Sequence, residues 1–302
     1  MLRIDNLKLP VGASEEELRS ACAHALRVSA EALVSIRLLR RSIDAREGVK
    51  LVCAAAVEVR NEAGVLKRCK NKNVQPYAPK KYMPPAPVSA PAVSPVVIGA
   101  GPAGLFCALL LARCGARPVL LERGRAVEQR KRDVDRFWHT GELDLTSNVQ
   151  FGEGGAGAFS DGKLNTGTKD ERHGYILEEF VRFGASEDIL VDAKPHVGTD
   201  RLYIVLQNLR REILALGGEI RFSHRAVDIL TEGGSVTALR VASREGEYTL
   251  RARHVVLAPG HSARDTFAML QARGVPMEPK PFAVGVRIEH RQRDMDAAQY
   301  KE

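Results

Sequence analysis

Three glycines and one acidic residue form the most informative chemical pattern in the chain. Gly99, Gly101 and Gly104 have the spacing G-x-G-x-x-G, and Glu122 follows 18 positions after the last of them. A glycine-rich turn before a helix lets backbone amides and the helix dipole face phosphate groups, and an acid at that distance accepts hydrogen bonds from ribose hydroxyls. The pattern predicts a dinucleotide site, in which the charge of Glu122 disfavours the 2′-phosphate of NADP.

The positions of this turn have separate physical roles. Gly99 permits the tight turn, Gly101 lacks a Cβ atom so that the backbone can approach a pyrophosphate, and Gly104 lets the following helix pack close to the strand. Pro102 suits the first turn of a helix, where the missing N–H group of proline costs nothing. The predicted cofactor contacts of this unit are Gly99, Ala100, Gly101, Pro102, Ala103, Gly104, Glu122 and Arg123.

The residues around the turn have the pattern of the elements that must position it. Val96–Ile98 is a short β-branched run, typical of a buried parallel strand. The apolar residues 105–112 predict a helix that ends near Gly115, and residues 118–121 predict a second strand. Strand, turn, helix, second strand and acid follow in the order of a dinucleotide-binding unit. The alternative is a tight turn in an unrelated α/β domain.

A second glycine-rich stretch covers residues 148–166. Gly152, Gly154 and Gly157 repeat the G-x-G-x-x-G spacing, but the residues before them make a poor buried strand and no clear helix follows. We therefore predict a loop whose backbone amides form an anion-binding nest, rather than a second Rossmann turn. The alternative is a surface glycine-rich loop. The predicted contacts in this loop are Gly154, Gly155, Gly157, Ser160, Asp161 and Lys163.

Two segments resemble flavoproteins related to glutathione reductase. Residues 122–124, Glu-Arg-Gly, are similar to the extension of their nucleotide motif. Residues 253–260 are similar to their second fingerprint, an apolar strand that ends in Ala-x-Gly. The first motif alone leaves NAD and FAD open, whereas the two segments in this order favour FAD. The resemblance implies further cofactor contacts at Ala258 and Gly260 and, by position only, at Ala226.

Several blocks resemble one family, the uncharacterised FAD-dependent dehydrogenases, also described as NAD(FAD)-utilising dehydrogenases. The most specific block is residues 151–164, and the others are residues 41–46, 194–199, 261–267 and 281–290. The resemblance covers nearly the whole chain. It implies a glutathione-reductase-like FAD fold behind a small N-terminal domain, FAD as the cofactor and NAD(P)H as a candidate electron donor, and it implies no particular substrate.

The third fingerprint of such flavoproteins is a Gly-Asp pair near the C-terminus, whose acid holds the ribityl chain. No such pair followed by a helix occurs before Glu302. We therefore expect an N-terminal fragment or truncated product of the family, with an incomplete flavin pocket.

Composition divides the chain into three segments. Residues 1–75 alternate predicted strands and helices, which predicts a small α+β domain, with a ferredoxin-like arrangement as one candidate. Prolines are concentrated in residues 76–94, which predicts a linker because a proline-rich chain forms neither ladders nor helices. Residues 95–302 are assigned to a Rossmann-like FAD/NAD(P)-binding domain, a parallel sheet with helices, with part of a substrate domain. The predicted fold class is α/β.

Bulk composition limits the other classes of function. The chain is 44% hydrophobic and 27% charged, and it has neither an apolar run that could span a bilayer nor a signal-peptide pattern. Five cysteines without C-x-x-C spacing argue against a metal site or redox pair and favour a reducing cytoplasm. The net charge is +8, but no aromatic stacking pattern accompanies the basic residues. A solvated basic face is therefore favoured over a nucleic-acid site.

No residue has the pattern of a catalytic acid or base. Asp161, Lys163, His173, His196 and His261 are candidates by polarity and neighbourhood alone. The leading hypothesis is a FAD-dependent oxidoreductase of unspecified substrate, redox partner and oligomeric state. The alternatives are an NAD-dependent dehydrogenase that uses the same Rossmann unit and a non-catalytic nucleotide-binding interaction protein.

Overall fold

The computed structural model describes residues 1–159, 162–164, 170–286 and 288–300. The N-terminal part contains four strands and two helices in the order βαββαβ. These elements are β1 (Leu2–Leu9), α1 (Glu15–Leu26), β2 (Leu33–Asp44), β3 (Lys50–Val59), α2 (Glu62–Arg68) and β4 (Val74–Pro76).

The N-terminal strands form one antiparallel sheet in the order β2-β3-β1-β4. With the βαββαβ chain order this is a ferredoxin-like arrangement, so the predicted small α+β domain is confirmed. Helix α1 begins with a capping box, in which the hydroxyl of Ser14 accepts the amide of Glu17 while the Glu17 carboxylate accepts the amide of Ser14. The sequence patterns do not reveal β4, because three residues that include a proline show no alternation.

The larger part of the chain builds a parallel sheet with helices. Its elements are β5 (Val96–Ile98), α3 (Pro102–Arg113), β6 (Val119–Glu122), α4 (Val127–Thr140), α5 (Arg172–Arg182), α6 (Thr199–Ala215), β7 (Glu219–Phe222), β8 (Arg225–Glu232), β9 (Ser235–Ser243), β10 (Gly246–Arg251), β11 (Val255–Leu257), α7 (Arg264–Ala272) and α8 (Gln292–Tyr300). The parallel sheet has the order β11-β5-β6-β7, and β8, β9 and β10 form a separate antiparallel sheet. The predicted α/β fold with a Rossmann-like unit is confirmed.

Alternate residues of the parallel strands serve two different cores. Val97 and Leu120 pack into a cluster with helices α3 and α6 on one face of the sheet. Ile98 and Leu121 pack against Leu239 of the antiparallel sheet on the other face. Successive strand residues point to opposite faces, so strands covered on both faces must be apolar throughout. Apolar packing therefore covers both faces of the parallel sheet, and this packing positions the edge where the strands have their carboxyl ends.

The N-terminal domain contacts the larger unit through β2. The backbone of Arg41 bonds Val191 and Ala193, and its guanidinium forms 2.9 Å ion pairs with Asp188 and Asp192. Between the two units, residues 77–93 contain no helix or strand. The boundaries at 75/76 and 94/95 remain predictions.

In the part of the chain that the structure describes, no helix is both long and apolar enough to cross a membrane.

Candidate functional site

The predicted phosphate turn lies where β5 ends and α3 begins. Gly99 has a φ of +103°, and a Cβ atom there would lie 2.2 Å from the carbonyl oxygen of Ala258. A Cβ atom on Gly104 would lie 1.7 Å from the carbonyl oxygen of Gly99. Both separations are far below van der Waals contact, so any side chain at Gly99 or Gly104 forces the turn apart. The roles predicted for these two glycines, the tight turn and the close helix packing, match this geometry.

Gly101 is different, because the described residues do not fill the space beside it. The nearest atom to a Cβ placed there is the Cα of Gly155 at 3.9 Å, an ordinary contact distance. Gly101 is the N-cap of α3 and has no side chain that could cap the helix, and Pro102 and Ala103 are exposed. The first amides of a helix lack partners within the helix. Open space beside uncapped amides at the positive end of a helix dipole fits a pyrophosphate.

The second glycine-rich segment packs directly on this turn. The amide of Gly154 donates to the carbonyl of Ala100 at 2.8 Å, and a Cβ atom on Gly155 would lie 3.1 Å from the Cα of Gly101. The amides of Gly152 and Glu153 also donate to protein acceptors, the Glu122 carboxylate and the Arg125 carbonyl. The predicted anion-binding nest is therefore not formed by these three amides, because they hold the loop against the turn.

Arg130 holds the other side of the same loop. This helix α4 residue is fully buried, and its guanidinium donates to the carbonyls of Asn148, Val149 and Glu153 at 2.9, 3.0 and 2.6 Å. Burial lowers the pKa of Arg130 to about 10, against the pull of nearby carboxylates. Residues 126–138 are rich in arginine and lysine, which predicts a solvated face, and this prediction is wrong for Arg130. A basic helix carries no sequence signal for one buried member.

Glu153 is a buried acid at the centre of this packing. One carboxylate oxygen accepts the amide of Val127 at 2.8 Å and the guanidinium of Arg210 at 2.6 Å, while the other has no hydrogen-bond partner among the described residues. Burial raises the pKa of Glu153 to about 7, although the Val127 amide and Arg210 favour its charged form. No sequence pattern distinguishes Glu153 from an exposed acid in a glycine-rich loop.

Glu122 lies at the carboxyl end of β6, as predicted, but its carboxylate is largely engaged by the protein. One oxygen accepts the amide of Ala100 at 2.7 Å, and the other accepts the amides of Gly124 and Gly152 at 2.9 Å each. The residue is only 5% exposed. A carboxylate offers about four acceptor positions, so little capacity is left for both ribose hydroxyls. Glu122 therefore ties the two glycine-rich segments together in addition to any contact with a nucleotide.

A small pocket opens beside Glu122 at the same edge of the sheet. Its lining combines the ends of β5 and β6, the start of β8, the residue after Ala258 and the first turn of α7. The lining residues are Ile98, Gly99, Leu121, Glu122, Arg123, His224, Arg225, Ala226, Pro259 and Thr266. Four predicted contact residues thus share one pocket although they come from distant parts of the chain.

The remaining predicted residues are dispersed. Gly260 is exposed beyond β11, and Lys163 pairs with His196 as an isolated antiparallel bridge. His173 lines a cleft of about 450 Å³ against the N-terminal domain, and His261 is exposed near Ser262. Gly157 lies in a short helical turn beside the second glycine-rich segment.

Ser160 and Asp161 lie outside the described residues. Among the described side chains, no group of three or more His, Cys, Asp or Glu residues could hold a metal ion.

Two parts of the chain match known families. Residues 93–293 match the family described as Pyridine nucleotide-disulphide oxidoreductase, and residues 1–60 match a domain of unknown function. An uncharacterized protein of Clostridium beijerinckii is 39% identical over 303 residues, which cover 99% of this chain and 56% of the relative. The chain therefore spans about half the length of the curated relative that it matches.

Solved structures with related backbones are distant. THI4 of Thermovibrio ammonificans is 19% identical with a TM-score of 0.40, over 61% of this chain and 64% of that one. Thioredoxin reductase of Lactococcus lactis is 15% identical with a TM-score of 0.30, over 56% of this chain and 32% of that one. At these scores neither likeness bears on what the chain does.

Proposed function

Because the chain belongs to the pyridine nucleotide-disulphide oxidoreductase family, we propose that it binds FAD and contributes the nucleotide-binding part of a FAD-dependent oxidoreductase. The observation that carries the proposal is the open, uncapped start of α3 at Gly101, beside a pocket that collects residues from β5, β6 and β8. Ligands of open α/β sheets bind at the carboxyl ends of the strands, which is where both features lie.

The proposed roles of the residues follow from their positions. The amides at the start of α3 would hold the pyrophosphate, with Gly101 leaving room for its approach. The adenosine would lie along the pocket beside Glu122 and Ala226, whose volume of about 30 Å³ admits only part of it, such as an edge of the ribose. Arg130 and Glu122 would act indirectly, because they fix the second glycine-rich segment against the turn.

When bound, a flavin supplies hydride and electron chemistry that side chains cannot. The chain's own contribution, in this proposal, is to bind and orient the nucleotide at the sheet edge. NAD(P)H is the proposed electron donor. Lys163 and His196 pair through their backbones in an isolated bridge, and no acid–base role is assigned to either.

The test is mass spectrometry of the ligand released from the purified chain, together with its visible spectrum and a titration with FAD. We expect a flavin spectrum and released FAD. A colourless protein that binds NADH would favour the NAD-dependent alternative. A colourless protein that binds no nucleotide would overturn the proposal.

A matched pair of glycine variants locates the site. Gly101→Ala places a methyl group where the pyrophosphate would approach, without a clash inside the protein, and should weaken FAD about tenfold or more. Gly174→Ala is the control, since it adds a methyl group to helix α5 in open space and should leave FAD affinity unchanged. Equal affinity of the Gly101→Ala variant and the unmodified chain would place the cofactor elsewhere.

A further inference from the structure

We propose that Asp265 determines the nucleotide specificity of the pocket beside Glu122, by occupying two arginines that would otherwise bind a 2′-phosphate on the ribose. This inference rests on the proposed function, because it assumes that the adenosine ribose of a dinucleotide lies at this pocket. Asp265 lies in the first turn of α7, a helix outside the Rossmann motif.

The two arginines belong to the pocket lining and converge on one carboxylate. Arg123 donates to one oxygen of Asp265 at 2.9 Å, and Arg225 donates to the other at 3.1 Å. Arg123 also donates to the Thr266 hydroxyl at 3.2 Å and lies 4.3 Å over the ring of Phe151. Its side chain is 13% exposed, so packing holds the guanidinium in place whether or not Asp265 is present.

Arginines at this position have a known chemical preference. In Rossmann units an arginine near the end of the second strand accommodates a 2′-phosphate, and guanidinium groups bind phosphate through short, charge-assisted hydrogen bonds. Arg123 follows directly after β6, and Arg225 begins β8 across the same pocket. Without Asp265, the pocket would present two uncompensated cations to the ribose.

Glu122 alone does not explain discrimination against a 2′-phosphate. Its carboxylate accepts three backbone amides, so much of its negative charge is already compensated. Asp265 supplies the second negative charge and uses the arginine donors. Although burial disfavours its ionised form, the hydrogen bond from Arg123 holds the pKa of Asp265 below its usual value. The carboxylate is therefore charged at neutral pH.

The experiment compares two probes, ADP and adenosine 2′,5′-bisphosphate, by calorimetric titration of the full chain after removal of copurified nucleotide. The unmodified chain should prefer ADP. Asp265→Asn keeps the size of the side chain and removes the charge. It should bind the bisphosphate about fivefold to tenfold more tightly than the unmodified chain, with ADP affinity changed less than about twofold. Higher salt should shrink the gain.

Two control variants separate specificity from loosening of α7. Asp265→Glu retains the charge and should retain the preference for ADP. Asp228→Asn removes a different aspartate–arginine pair, between Asp228 of β8 and Arg273 at the far end of α7, outside the pocket. It should leave both affinities unchanged.

The outcomes are distinct. Tighter binding of the bisphosphate by Asp265→Asn, and not by the two control variants, supports the role of Asp265. The same gain in Asp228→Asn would assign the effect to movement of α7 and overturn it, as would no gain in Asp265→Asn while ADP still binds. If the unmodified chain binds neither probe, the proposed nucleotide site is itself wrong.

Discussion

Two segments of this chain share the spacing G-x-G-x-x-G and have different structures. The first, with Gly99, Gly101 and Gly104, joins a buried strand to a helix whose amides face open space. The second, with Gly152, Gly154 and Gly157, is a loop whose carbonyls bind Arg130 and whose amides bind the first segment and Glu122. The spacing therefore specifies backbone freedom, and the flanking elements decide whether the amides remain available to a ligand.

The largest expected effect separates two glycines of the first segment, Gly104 and Gly101. Gly104→Ala should destabilise the fold by about 3 kcal/mol or more, because its Cβ atom would lie 1.7 Å from the Gly99 carbonyl oxygen. Gly101→Ala, with no clash, should cost about 1 kcal/mol or less. Urea unfolding of the two variants gives the comparison. Equal stability of the two would contradict the close packing of α3 on β5.

Removal of the buried arginine should affect the second segment. Arg130→Met leaves several buried carbonyls without their donor and should destabilise the chain by about 2–4 kcal/mol. Arg132→Met, at an exposed position of the same helix, is the control and should be nearly neutral. Thermal or urea unfolding measures both. A neutral Arg130→Met would mean that the loop does not depend on this contact.

The acid of the second segment should make stability depend on pH. The pKa of Glu153 is about 7 in the folded chain and near 4.5 when unfolded, so the folded state binds more protons between these values. The contribution of Glu153 to the stability of the fold is therefore present at low pH and is lost as the pH rises through about 7. Between pH 5 and pH 8, the free energy of unfolding of Glu153→Gln should rise by about 1–3 kcal/mol relative to that of the unmodified chain. Urea unfolding at the two pH values measures it.

Glu128→Gln is the control for that measurement, because Glu128 binds the same Arg210. Although burial disfavours its charged form, the hydrogen bonds from Arg210 and other donors lower the pKa of Glu128 to about 2. Glu128 stays ionised at both pH values, so the difference between Glu128→Gln and the unmodified chain should change much less from pH 5 to pH 8 than the difference for Glu153→Gln. The small change that remains arises because the charge of Glu128 helps to raise the pKa of Glu153. An equal pH response in the two variants would contradict the assignment to Glu153.

The smallest expected effect concerns Gly157. A Cβ atom there meets nothing within 4 Å among the described residues, and Gly157 has no positive φ. Gly157→Ala should change the free energy of unfolding by no more than about 0.5 kcal/mol. The same unfolding assay as for Gly104→Ala measures it. A large loss would show that the third glycine has the same packing role in both segments.

Much of the architecture could be predicted from local patterns. The strand β5, the capping box of α1 and the helix α6 follow from β-branched runs, cap residues and helical periodicity, which short-range forces enforce. Strand β4 and the burial of Arg130 could not, because three residues carry no periodicity and a buried arginine looks like any other in a basic helix. The predicted domain boundaries and cofactor contacts are still to be tested by experiment.

By itself, the sequence determined the order of the elements around the phosphate turn and the location of that turn. Both depend on residue types whose conformational limits act within a few positions, such as glycine at Gly99 and proline at Pro102. Only the tertiary structure decided which groups meet. It placed Gly154 on Ala100, gave three backbone donors to Glu122 and joined Arg123 and Arg225 through Asp265. Such contacts depend on how the elements pack around the sheet edge, and residue spacing does not encode that packing.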